Sequence, residues 1–191
     1  MIISISGFHG SGKSTIAEML AKKLNWPRYY MGGLRREAAQ KRDLTLAEYN
    51  KLGEEDPSTD LEVDNYQKKL GEEKDNFIIE GRTSWFFIPH SLKIYLDVNK
   101  ETGAERIFQH LKKENNRNEG KDLKTLQEVS RSVEERYLSD KKRYKKYFNI
   151  DVYNKENYDY YLDTSDLEIQ EVFDKVFSFV SKKLKILTNK K

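Results

Sequence analysis

Gly7, Gly12, Lys13 and Ser14 satisfy the spacing G-x-x-x-x-G-K-[ST] at every fixed position, inside the run Ile2-Ile3-Ser4-Ile5-Ser6-Gly7-Phe8-His9-Gly10-Ser11-Gly12-Lys13-Ser14-Thr15. Those residue types in that order are suited to holding a polyphosphate. Glycines let the backbone curl so that successive N–H groups point at one anion. Gly7, Gly10, Ser11, Gly12, Lys13, Ser14 and Thr15 are the expected donor-binding set. Lys13 would meet the β- and γ-phosphates as a point charge, and the Ser14 hydroxyl would ligate Mg²⁺. The expected ligand is a nucleoside triphosphate with Mg²⁺. A chance glycine-rich turn would match the pattern too, but would not need an apolar run before it and a helical pattern after it. His9 sits at a variable position of the motif, either as a tolerated residue or as a catalytic one.

Phosphoryl transfer asks a protein for in-line positioning and positive charge rather than covalent help. Arginines, and a carboxylate near the metal, are therefore the next candidates. Glu80 ends the apolar run Phe77-Ile78-Ile79 and precedes Gly81. It could hold a metal-bound water opposite Ser14, or be an ordinary acid at a strand end. Arg82 follows, with a planar fork that suits phosphate. Of Arg35 and Arg36, one could hold an acceptor phosphate and the other be solvated. Arg117, Arg131, Arg136 and Arg143 lie further on, and Arg136, Asp140 and Arg143 share one helical face by their spacing. That face reads equally as a catalytic arm or as a salt-bridged surface. Tyr137, Tyr144, Tyr147 and Phe148 alternate with Lys141, Lys142, Lys145 and Lys146, which suits an RNA-binding stripe or a helix with an aromatic inner face.

The elements that must carry these residues follow from periodicity. Apolar runs predict strands at Ile2–Ser6, Arg28–Met31, Asn76–Glu80, Leu92–Asp97 and Tyr158–Asp163. Helical spacing predicts helices over Thr15–Leu24, Leu34–Lys41, Leu46–Glu54 with Thr45 as N-cap, Asp60–Leu70, Glu101–Lys113, Leu123–Phe148 with room for one break, and Leu167–Leu187. Gly32-Gly33 reads as a turn. Residues 115–122 read as a mobile polar loop, and Thr188–Lys191 as a frayed basic tail. Five strands separated by helices predict an α/β fold with a parallel sheet, right-handed crossovers and ligands at the strands' carboxyl ends. No repeat or linker divides the chain, so one domain is expected over 1–191. Its core is 1–31, 73–113 and 149–187, with an acceptor-binding insertion at about 32–72 and a lid at about 114–148. Two such insertions suit a two-substrate enzyme that closes over its donor and expels water.

Taken together, these segments resemble the nucleoside monophosphate kinases, and more closely the archaeal-type cytidylate kinases, from residue 2 to about 180. The carriers, in order, are Ile2–Thr15; Gly32-Gly33-Leu34-Arg35-Arg36-Glu37, where relatives have Gly-Asp-x-x-Arg-Glu; Glu80-Gly81-Arg82; Arg136-x-x-x-Asp140-x-x-Arg143-Tyr144; and Leu162-Asp163-Thr164-Ser165. The resemblance implies a three-layer α/β/α P-loop NTPase sandwich, with a parallel sheet ordered 2-3-1-4-5. It implies transfer of the γ-phosphoryl group of ATP to a nucleoside monophosphate, CMP or dCMP being favoured, by a monomer. Lys13, Arg136 and Arg143 take the catalytic roles, Arg36 and Arg82 hold the acceptor phosphate, and Ser14 with Glu80 (through water) organises Mg²⁺. Asp60, Asp64 and Gln67 share a helical face that could accept from the exocyclic amine of cytosine, Asp64 being the chosen contact, or could be a polar surface. Two departures stand out: Gly33 replaces the family's Asp, and Lys112–Lys124 is longer and more polar than in relatives.

Composition bounds the alternatives. The 191 residues include no cysteine, which leaves no disulfide, zinc-thiolate or thiol nucleophile and suits a reducing cytoplasm. The early first strand leaves no room for a signal peptide, and no stretch reaches the roughly 20 apolar residues of a membrane span. A net charge of +3 with 35% charged residues is not the field of a dedicated nucleic-acid binder. The rival readings are a shikimate- or gluconate-type kinase on the same fold, with Glu80 as a base, and a nucleotide-gated RNA-binding protein.

Overall fold

The computed structural model describes residues 1–113 and 123–188. The predicted loop at 115–122, and Arg117 with it, lies outside the described residues, as do the last three residues of the tail. Five strands, β1 (Ile2–Gly7), β2 (Arg28–Tyr30), β3 (Phe77–Glu80), β4 (Leu92–Asp97) and β5 (Tyr160–Asp163), form one sheet in the order β2-β3-β1-β4-β5. Every pairing is parallel. Their carboxyl ends therefore share one edge, where Gly7, Tyr30, Glu80, Asp97 and Asp163 end the strands.

Strand alternation sorts the core. Ile3, Ile5, Ile78, Ile94 and Leu96 face α1 (Lys13–Leu24) and α8 (Ile169–Thr188), meeting Ile16, Leu20, Val172 and Val176. Ile2, Phe77 and Ile79 face the other way, onto Met31, Leu70 and Ile88. Ser4 and Ser6 are buried on this second face without cost, because Ser4 Oγ pairs with Ser91 Oγ at 2.8 Å and Ser6 Oγ donates to the Gly81 carbonyl at 2.6 Å. The remaining helices are α2 (Met31–Gln40), α3 (Leu46–Gly53), α4 (Ser58–Glu73), α5 (Ser84–Phe87), α6 (Lys100–Lys112) and α7 (Leu126–Phe148). α6 and α7 close a third cluster through Ala104, Ile107, Val129 and Val133, against Phe8 of the loop after β1.

Two expectations change. Gly32-Gly33 is not a turn: the chain enters α2 at Met31, straight from β2. The reason is the ring of Tyr30, which lies over the first turn of α2. A Cβ on Gly32 or on Gly33 would come within 2.8 Å of that ring. The long charged segment is one unbroken helix, started by a capping box between Thr125 and Glu128. The same device starts α3, where Thr45 accepts from the Glu48 N–H at 3.2 Å. The one-turn helix α5 was not anticipated; four residues carry too little periodicity to announce it.

Candidate active site

The cavity at the carboxyl edge of the sheet takes its polar lining mainly from five segments, with Leu46 and Asn50 of α3 and Ile107 of α6 beside them. His9 and Gly10 come from the loop between β1 and α1, and Lys13 and Ser14 from the first turn of α1; Tyr30, Arg35 and Arg36 from the end of β2 and from α2; Asp60, Asp64 and Gln67 from α4; Glu80 and Arg82 from the end of β3; and Arg136, Asp140 and Arg143 from α7. Of the candidates, Gly10, Lys13, Ser14, Arg36, Asp64, Glu80, Arg82, Arg136 and Arg143 thus share one enclosure. Of the donor set, Ser11 is buried behind the loop, while Gly12 and Thr15 lie on its exposed side.

The loop owes its shape to glycine at two places. Gly10 and Gly12 have φ of 80° and 82°. Gly10 also packs on α6 so closely that a Cβ would lie 2.2 Å from the Gly103 carbonyl oxygen. Gly12 caps α1 without any side-chain hydrogen bond, so the first turn of that helix keeps its positive end for a ligand. Lys13 Nζ donates to the Phe8 carbonyl at 3.2 Å. Thr164 ties the end of β5 to the loop, its hydroxyl donating to the carbonyls of Ser11 at 3.2 Å and Asp97 at 2.8 Å. Arg106, which sequence reasoning passed over, donates to Thr164 Oγ1 at 3.1 Å and to its carbonyl at 2.8 Å.

Glu80 is buried, and Arg28 holds one of its oxygens, with Nε at 2.8 Å. The other oxygen, Oε2, is buried with no hydrogen-bond partner. An orphaned carboxylate oxygen in a cavity that also holds Ser14 fits a metal-bound water. Among the described residues no three His, Asp, Glu or Cys side chains cluster as metal ligands. Mg²⁺ held largely by substrate phosphates needs only one or two protein groups, so Ser14 and Glu80 suffice.

A chain of buried charges crosses the cavity. Arg35 donates to Asn50 Oδ1 at 2.8 Å and pairs with Asp60. Asp60 accepts from Arg143 Nη1 at 2.7 Å, and Arg143 Nη2 donates to Asp140 at 2.6 Å. Asp140 forms an ion pair with Arg82 Nε at 2.5 Å and accepts from the Tyr153 hydroxyl at 2.9 Å. The helical face shared by Arg136, Asp140 and Arg143 is therefore an interior one, and the salt-bridged surface alternative falls. Of the arginines of α7, Arg131 alone is exposed. Burial disfavours the charge on Asp140, but Arg82 and Arg143 outweigh it and hold the carboxyl well below its ordinary range. Arg36 donates to the Gly32 carbonyl at 3.0 Å and bonds the Tyr30 hydroxyl. Tyr30 thus stands where the Gly33 departure left room, a link that neither residue reveals alone.

Asp60, Asp64 and Gln67 are buried, not a polar surface. Gln67 has its amide committed: Oε1 accepts from Ser84 at 2.6 Å, while Nε2 donates to Thr83 at 3.2 Å and to Asp64 at 3.3 Å. Asp64 alone of the three is not locked in an ion pair or a saturated amide. Burial, and then the nearby Asp60 charge, push its carboxyl up to about 7. A raised carboxyl binds a proton in the folded state that the unfolded chain has lost between about pH 4 and 7. Stability must therefore fall as pH rises through that window. Asp64→Asn is expected to flatten the pH dependence of the urea midpoint. It should also gain on the order of 3 kcal/mol over wild type above pH 7. A pH dependence equal to that of wild type would refute the assignment.

The basic-aromatic stretch also resolves. Tyr137 packs on Tyr153 with ring centres 4.7 Å apart, Phe148 packs on Phe87 at 5.3 Å, and Tyr144 is buried. Lys141, Lys142, Lys145 and Lys146 face outward, Lys142 pairing with Glu54 at 2.6 Å. The aromatics are the inner face of α7.

Comparison with known proteins identifies this architecture. The model of the cytidylate kinase-like family matches residues 2–166. The chain belongs to that family, and with it to the nucleoside monophosphate kinases. It is 32% identical over 188 residues to a cytidylate kinase of Archaeoglobus fulgidus, covering 97% of this chain and 98% of the relative. Cytidylate kinases of Methanopyrus kandleri and Methanocaldococcus jannaschii are 35% and 33% identical, covering 91% and 94% of this chain and 89% and 97% of their own. Among solved structures, a shikimate kinase of Bacteroides thetaiotaomicron superposes with a TM-score of 0.61 at 16% identity, covering 97% of this chain and 98% of its own. An uncharacterized protein of Eubacterium ventriosum gives 0.63 at 21%, covering 95% and 98%. These two share the fold. No described helix is long and apolar enough to cross a membrane.

Proposed function

We propose that this chain transfers the γ-phosphoryl group of ATP to CMP or dCMP. The observation that carries the reading is the shared cavity. Lys13 and Ser14 line it with Asp64 and Gln67, and Arg36, Arg82, Arg136 and Arg143 stand among them. The donor phosphates would lie on the loop and on the positive end of α1, with Lys13 on their terminal oxygens. Mg²⁺, held by Ser14 and by a water on Glu80, would supply charge neutralisation between the phosphates. Arg36 and Arg82 would hold the acceptor phosphate, and Arg136 and Arg143 would neutralise the phosphoryl group in transfer. The acceptor oxygen is already ionised, so no general base is required. Asp64 is the remaining side chain able to accept from the exocyclic amine of cytosine, with Gln67 orienting it.

The test is ADP release from ATP·Mg²⁺ with CMP, dCMP, UMP, AMP, GMP, shikimate and gluconate as acceptors. Stimulation by CMP or dCMP above the rest is expected. Stimulation by shikimate or gluconate alone would overturn the reading in favour of a small-metabolite kinase. Arg82→Ala is expected to raise the KM for CMP about tenfold or more and that for ATP far less. Equal rises would move Arg82 out of the acceptor site.

A further inference from the structure

We propose that His9 is a positioning residue for the acceptor site: its imidazole, rooted in the donor loop, holds the Arg82 guanidinium and joins donor loop, acceptor arginine and lid into one assembly. The proposal rests on the acceptor role of Arg82 given above. Nothing in the phosphate-binding spacing calls for histidine at this position, since the loop holds its anion through backbone N–H groups and Lys13. Yet the side chain is only 2% exposed and lines the cavity. Arg82 Nη2 lies 3.0 Å from Nδ1 and 2.9 Å from Nε2. Arginine only donates, so the ring must offer it a lone pair, which an imidazolium does not have.

The surroundings enforce that state. Arg82 faces the ring from the end of β3, Arg136 and Asp140 face it from α7, and Tyr153 from the segment after α7, its hydroxyl 3.5 Å from Nε2. Burial first, then the Arg82 and Arg136 charges, hold the imidazole well below its ordinary range, although Asp140 lies 3.7 Å from Nε2 and opposes them. Asp140 pairs with the neighbouring nitrogen of the same guanidinium edge, Nε, at 2.5 Å, and Tyr153 stands 3.4 Å from Nε. Arg82 thus meets, along one edge, both the loop that would carry the donor and the helix that would close over it. A shift of the donor loop must move the arginine that meets the acceptor.

The experiment uses His9→Leu and His9→Asn beside wild type. His9→Leu removes the lone pair, and His9→Asn keeps an acceptor atom near Arg82. The expected result is a KM for CMP raised about tenfold in His9→Leu, with the KM for ATP changed less than about twofold and most of the loss recovered in His9→Asn. Equal changes in both KM values, or none in either, would overturn the proposal. A second readout does not depend on turnover. The ring carbon resonances of the labelled His9 imidazole should not titrate between about pH 5.5 and 8, and should shift in Arg82→Lys. A ring that titrates at an ordinary histidine midpoint, or that ignores Arg82→Lys, would overturn it as well. If wild type phosphorylates none of the monophosphates, the acceptor reading falls, and the resonance test still decides whether His9 holds Arg82. If His9→Leu does not fold, His9→Asn and the resonances carry the decision.

Discussion

Lys13→Ala is expected to lower kcat by about 10²- to 10³-fold while leaving CMP affinity, measured by calorimetry, within about twofold. The lysine stands in the first turn of α1, a helix without a side-chain cap, beside a loop whose glycines leave room for an anion. Its ammonium donates to the Phe8 carbonyl at 3.2 Å, a partner that a phosphate oxygen easily replaces. Its proposed work is done on charge that grows as the γ-phosphoryl group leaves ADP, so the loss should appear in kcat rather than in acceptor binding. The acceptor side should be untouched because Arg82, Arg36 and Asp64 hang on other elements. A variant that keeps its turnover would show that the donor phosphates lie elsewhere.

Arg143→Ala should cost more stability than any other lid substitution, about 3–5 kcal/mol in urea unfolding. The guanidinium is 1% exposed and shared between Asp60 on α4 and Asp140 on α7. Burial disfavours its charge, but Tyr144, Asp140 and Asp60 more than compensate and raise its pKa above the usual value. Truncation leaves two buried carboxylates short of a cation. Arg35 still reaches one and Arg82 the other, so the fold should survive while the acceptor insertion and lid loosen. The double variant Arg143→Met with Asp60→Asn should recover part of the loss, because it removes a charge together with its partner. No recovery would mean that the cost comes from packing rather than from unpaired charge. Turnover should fall in both variants, since the methionine restores no positive charge for the phosphoryl group.

The fold was legible in the sequence because its signals are local. Five apolar runs, the cap at Thr45 and the loop motif each sit within a few residues. The resemblance then supplied the strand order, which periodicity alone does not contain. The site was half legible. Lys13, Ser14, Arg36, Arg82, Arg136 and Arg143 were candidates by type and spacing, and they do line one cavity. Their partners were not foreseen, because each comes from a distant segment: Arg28 for Glu80, 52 residues away, and Asp60 for Arg143, 83 away. Gly32-Gly33 misled for the opposite reason. Two glycines in a row signal a turn locally, whereas here they make room for the Tyr30 ring.

Gly103 lies inside α6, where helix propensity alone would favour alanine by about 1 kcal/mol. The backbone of the donor loop occupies the space that a methyl group would need, with the His9 carbonyl oxygen 2.5 Å from it. Attempts to thermostabilise this enzyme by filling helix glycines should therefore spare this one. It is the fulcrum between the nucleotide cradle and the α6–α7 arm, and widening it by one carbon would change how the arm is aimed as well as how tightly it is held.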